Sequence, residues 1–177
     1  MSDTEITFSS GDVTLHGSLR VAVSMRGPVP AVLLLAGSGP TDRNGDSALL
    51  PGSIGTLRHL ADVLERKGFA SLRYDKFGSG TTGLGPYSVE DVADLGFSTF
   101  IDHASDALAF LGSQRGVDPK RLYVVGHSEG ALIALSLAQD NDSIAGLGLL
   151  EPLAVRLLDL LTAQIDAPLD AVVAAGQ

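Results

Sequence analysis

Ten residues, Leu122-Tyr123-Val124-Val125-Gly126-His127-Ser128-Glu129-Gly130-Ala131, constrain this chain more than any others. An apolar run rich in β-branched residues meets a Gly-X-Ser-X-Gly signature, and a run of good helix formers, residues 131–139, follows at once. That order reads as strand, sharp turn, helix. In the turn known as a nucleophile elbow the serine holds a strained backbone conformation, and the glycines at 126 and 130 let strand and helix approach closely. Ser128 then projects above the sheet at a helix start, where the partial positive charge favours a nearby oxyanion.

A chain of 177 residues with 45% hydrophobic and 19% charged residues carries enough apolar material for one sizeable core. Twelve Lys and Arg against 21 Asp and Glu give a net charge of −9, which argues against nucleic acid or an anionic membrane surface as partner. There is no cysteine, so disulfides and thiolate metal sites are excluded. The start, Met1-Ser2-Asp3-Thr4-Glu5, lacks the basic and then apolar pattern of a signal peptide, and no apolar run reaches membrane-spanning length. The chain reads as cytoplasmic.

Residues 5–8 and 13–21 alternate apolar and polar side chains around Ser10-Gly11-Asp12, which predicts an antiparallel hairpin. The continuous apolar run of residues 31–35 predicts a central strand buried on both faces, followed by a turn-rich loop over residues 36–46. A helix is expected over residues 53–67 with Gly68 as its C-terminal stop, then a strand over 69–74, so that strand, helix and strand form a parallel crossover. The glycine-rich loop over 75–83 lacks the spacing of a dinucleotide fingerprint or a P-loop. Residues 88–111 predict one long amphipathic helix, with His103 and Asp106 as a polar pair on its outer face. His16 and His59 read as surface or boundary residues, and 144–150 as another buried strand. Residues 153–165 and 169–175 look helical, and no repeat or linker divides the chain.

Three motifs, each after a predicted strand, then carry a resemblance. They are Ala36-Gly37-Ser38-Gly39-Pro40-Thr41-Asp42-Arg43-Asn44-Gly45, Leu72-Arg73-Tyr74-Asp75-Lys76-Phe77-Gly78-Ser79-Gly80 and Gly126-His127-Ser128-Glu129-Gly130. In this order they resemble the α/β-hydrolase superfamily, in particular bacterial esterases and peptidase-like hydrolases of the dienelactone hydrolase and prolyl oligopeptidase-related kind. The resemblance implies an α/β fold with a mostly parallel sheet and helices on both faces. It also implies an acyl-serine mechanism on a small ester without cofactor or metal, and a helical lid after the strand that follows the elbow helix. Residues 1–152 then form the N-terminal part of the core, and 153–177 the start of the lid. Carried onto this sequence, Ser128 is the nucleophile, the backbone amide of Glu129 is one oxyanion-hole donor, and that of Ser38, or of Gly39 beside it, is the other. On this view the Ser38 and Glu129 side chains matter less than their amides, and His127 is a structural motif residue.

The superfamily orders its triad as serine, acid, histidine. Here His16, His59, His103 and His127 all precede Ser128, and only residues 129–177 follow it. The sequence therefore reads as the N-terminal part of a longer hydrolase, incomplete at its C-terminus. Two alternatives are a catalytically silent binding or assembly module and an enzyme with an unusual triad that uses a downstream carboxylate such as Glu151. A peptide or thioester substrate would use the same serine. If the chain ends at Gln177, strand 144–150 becomes an open edge, and a homo-oligomer or a second chain supplying the remaining half is expected.

Overall fold

The computed structural model describes residues 3–22, 27–92 and 96–152, together with 159 and 162. Strands β1 (Thr4–Ser10) and β2 (Val13–Arg20) form the expected antiparallel hairpin, paired from Thr4↔Leu19 to Ser10↔Val13. β3 (Val29–Leu35) leads through a long loop to α1 (Thr56–Arg66), which stops at Gly68 in the left-handed region. β4 (Ala70–Tyr74) then lies parallel to β3, which completes the crossover. After the short α2 (Val89–Val92) come α3 (Ser98–Gly112), β5 (Val117–His127), α4 (Glu129–Gln139) and β6 (Ile144–Leu150).

The six strands form one sheet in the order β1-β2-β4-β3-β5-β6, parallel from β4 through β6. β3 is central, and its apolar run serves both faces because successive side chains alternate across the sheet. Leu33 and Leu35 join the larger core under α3 and α4, with Leu15, Leu72, Leu108, Leu111 and Val124. Val32 and Leu34 join a smaller one under α1, with Leu57 and Ala61. On that second face β2 and β4 carry arginines instead of aliphatics. Arg20 pairs with Asp3 (2.8 Å), Asp62 and Glu65 (3.3 Å), and the fully buried Arg73 pairs with Asp3 (2.6 Å).

Three expectations are corrected. The helical region over 88–111 is not one helix: α2 and α3 are separate, and Gly96 lies in the stretch between them, as its poor helix propensity favours. His103 is not on the outer face of α3. It is 4% exposed and packs beside Phe77, with ring centroids 6.3 Å apart. Strand β6 is not buried: it pairs only with β5 among the described residues, and Leu147, Leu149 and Leu150 are each over a third exposed. The predicted lid, residues 153–177, lies almost wholly outside the described residues.

Candidate functional site

The site forms where the central parallel strands end, as open parallel sheets favour. β5 delivers Ser128 at φ 53° and ψ −115°, a left-handed backbone that a side-chain-bearing residue adopts only when its surroundings force it. Those surroundings are visible. The Ser128 amide donates to the Leu150 carbonyl at 2.9 Å, and its carbonyl accepts from the Ala131 amide at 2.9 Å. A Cβ on Gly126 would lie 2.0 Å from the Gly130 carbonyl oxygen, and one on Gly130 would lie 2.5 Å from that of Leu35. Both predicted elbow glycines are therefore required by close backbone approach. Ser128 directly precedes the first turn of α4, whose leading amides have no partner within the helix.

The loop after β3 faces the elbow. Gly37, Ser38, Leu50, Ile54, His127 and Ser128 are among the residues lining one cavity of about 170 Å³. Carboxylates hold this loop in shape. Asp42 accepts from the amides of Asn44 (2.8 Å) and Asp46 (3.0 Å). Asp46 accepts from the amides of Ile54 (2.6 Å) and Gly55 (2.8 Å) and from the Ser53 hydroxyl (2.8 Å), and these bonds hold its carboxyl below the ordinary carboxylate range. Buried Asp75 ties the loop after β4 to it, accepting from the amides of Arg43 (2.8 Å) and Thr81 (2.9 Å) and from the Arg43 guanidinium (3.3 Å). The Thr41 hydroxyl donates to the Ser38 carbonyl at 2.8 Å.

The structure thus brings Ser128, Ser38, Glu129, Gly126 and Gly130 to one place. Glu151, the candidate acid, follows β6 at φ 49°, with its carboxylate 3.3 Å from the His127 imidazole, but its side chain is 84% exposed. His127 packs against Gly37, where a Cβ would lie 3.0 Å from Nδ1. Among the described residues no hydrogen bond joins the Ser128 hydroxyl to a histidine, and no group of three or more His, Asp or Glu is placed to hold a metal ion.

Lys76 and Asp75 are the residues that the sequence reading missed. Lys76 is 7% exposed and donates to the Gly37 carbonyl (2.5 Å) and the Glu129 carboxylate (2.8 Å). Both residues sit just past the end of β4, at the carboxyl edge of the parallel sheet, which is the signal that pointed to them. A second cavity, of about 230 Å³, opens where α3 meets the β1–β2 turn and includes Tyr87, His103 and Asp106. There Ser10 donates to Asp106 at 2.6 Å, and His103 Nδ1 has no partner among the described residues. Burial pulls the His103 pKa down, against the pull of Asp106 and Asp102.

Comparison with known proteins bears on the family and the fold. The family model described as serine aminopeptidase, S33, matches residues 51–163. Esterase EstD of Thermotoga maritima is 29% identical over 161 residues, which cover 90% of this chain and 36% of the esterase. The α/β hydrolase GrgF from a Penicillium species superposes with a TM-score of 0.70 at 20% identity, over 97% of this chain and 56% of that one. The dienelactone hydrolase-like promiscuous phosphotriesterase P91, from metagenomic libraries, gives 0.62 at 20% identity over 89% and 63%. The chain spans about a third of the length of EstD and between half and two thirds of these two structures.

Proposed function

Because this chain belongs to the serine aminopeptidase (S33) family of α/β-hydrolases, we propose that it carries the nucleophile and oxyanion hole of a serine hydrolase acting on a small carboxylic ester. The observation that carries this is the strained Ser128 at the head of α4, sharing one cavity with Ser38 of the facing loop. In this reading the Ser128 hydroxyl oxygen attacks the ester carbonyl carbon, and the amides of Ser38 and Glu129 receive the charge that develops on the carbonyl oxygen. The carbon–oxygen bond to the alcohol breaks, the serine proton leaves with the alcohol, and water then releases the acid from the acyl-serine. In this reading a histidine moves the proton, and none of the described histidines hydrogen-bonds the Ser128 hydroxyl.

The size of the cavity and the aliphatic side chains of Leu50, Ile54 and Leu57 on its wall favour a short apolar acyl group. The esterase name of the Thermotoga relative supports an ester rather than an amide. The test, on the protein isolated from its native source with whatever further chain or partner it carries, is hydrolysis of p-nitrophenyl esters of increasing acyl length beside an aminoacyl p-nitroanilide. Turnover of acetate and butyrate esters, lost in Ser128→Ala, is expected. Turnover of the anilide alone would replace the ester with a peptide-like substrate, and absence of any Ser128-dependent turnover would favour the silent binding or assembly module.

A further inference from the structure

Glu129 and Lys76 form an ion pair that does more than join α4 to the loop after β4. Lys76 Nζ also donates to the Gly37 carbonyl, at 2.5 Å. Gly37 and Ser38 share a peptide, and in a planar trans peptide the carbonyl and the next amide point in opposite directions. Fixing the Gly37 carbonyl toward Lys76 therefore fixes where the Ser38 amide points. A cation on that carbonyl also polarises the peptide, which strengthens the same amide as a donor. Glu129, which holds Lys76 in place, contributes the other oxyanion-hole amide from its own backbone.

We propose that Lys76 is a positioning residue that aims and polarises the Ser38 amide, and that its pair with Glu129 locks the two oxyanion-hole donors together. This rests on the reading of Ser128 as nucleophile. Lys76 is 7% exposed, and its ammonium also lies 5.7 Å from the centre of the Phe100 ring. Removing Lys76 is unfavourable, because it leaves the half-buried Glu129 carboxylate and the carbonyl of buried Gly37 without their donor. The Glu129 side chain thus has a role beyond that of its backbone amide.

The test compares wild type with Lys76→Met, Lys76→Arg and Glu129→Gln by two readouts. One is amide NMR of Ser38 and Gly39, as chemical shift and hydrogen exchange. The other is the rate at which a fluorophosphonate labels Ser128. In Lys76→Met the Ser38 amide proton is expected to move upfield and not to exchange faster while the β3 amides stay unchanged, and labelling is expected to slow at least tenfold. Losing one oxyanion-hole donor outright costs roughly 10²–10³-fold. Lys76→Arg, which keeps the charge, should recover most of the rate, and Glu129→Gln should fall between. An unchanged Ser38 amide in Lys76→Met overturns the proposal, as does equal slowing by Lys76→Met and Lys76→Arg with a shared loss of stability. If wild-type Ser128 takes no label, the hydrolase reading fails and the Ser38 amide alone decides whether Lys76 positions that peptide.

Discussion

Gly130→Ala should separate the elbow from the loop it faces. The new methyl would lie 2.5 Å from the Leu35 carbonyl oxygen and 2.7 Å from that of Ala36. Real Cβ contacts essentially never fall below 3.0 Å, so helix and strand must part by at least 0.5 Å, the difference between 2.5 and 3.0 Å. Both obstructing atoms are backbone at the end of β3, in the middle of the sheet, and neither can swing aside as a flexible side chain would. Overpacking of this kind costs about 3 kcal/mol, the upper part of the usual range. For a domain of this size that lowers the melting temperature by roughly 6–12 °C. The same displacement moves the Glu129 amide away from the Ser38 amide, and misplacement approaching 1 Å costs on the order of 10²-fold in rate. Urea unfolding by circular dichroism and fluorophosphonate labelling measure the two effects. Gly96→Ala is the control, because a Cβ there meets nothing closer than the Ser98 hydroxyl at 3.5 Å. A loss below about 1 kcal/mol with unchanged labelling would show that the close approach of α4 to β3 is not what builds the elbow.

Other substitutions test the remaining parts of the site. Ser38→Ala should leave labelling within about twofold, because only the backbone N–H is used, whereas Ser38→Pro removes that donor and should slow labelling by roughly 10²–10³-fold. Asp75→Ala removes the acceptor of two part-buried hydrogen bonds, those from the amides of Arg43 and Thr81. It should cost about 3 kcal/mol in urea unfolding and expose the loop over residues 41–46 to limited proteolysis. His103 is held below its ordinary pKa of 6.5 by burial, despite Asp106 and Asp102, so the unfolded chain takes up its proton first as pH falls. Stability should therefore decline as pH falls from about 7 through and below 6.5, and His103→Leu should flatten that part of the pH–stability curve. An unaltered slope in that variant would mean that another group titrates there.

The elbow and the central strand were legible because each leaves a signature that tertiary context does not erase. Glycines two residues either side of a serine mark the close contacts of Gly126 and Gly130, and an unbroken run such as Ala31 to Leu35 is tolerated only where both faces are covered. The hairpin followed from period-two alternation around Gly11. His103 misled because its residue type outweighed its position. It lies three residues after Phe100 and four before Ala107, which puts it inside the buried stripe of α3. Strand β6 is as apolar as β3 and so read as buried, whereas among the described residues it takes the open-edge place that was expected of residues 144–150 with nothing beyond them. Lys76 and Asp75, although part of the second motif, carried no assigned role for a related reason. Their partners, Gly37, Glu129, Arg43 and Thr81, are remote in sequence or come from backbone, and only the parallel crossover brings them together.

The most direct test of Ser128 as the nucleophile is peptide mapping after fluorophosphonate labelling of the protein isolated from its native source, with the intact mass taken first. One phosphonate on the peptide that contains Ser128, abolished in Ser128→Ala, is the predicted result, and the intact mass then shows whether the histidine belongs to the same chain or to a partner. Label on a different residue, or no label on a folded protein whose labelling control reacts, would contradict it and leave the elbow as a binding or assembly scaffold.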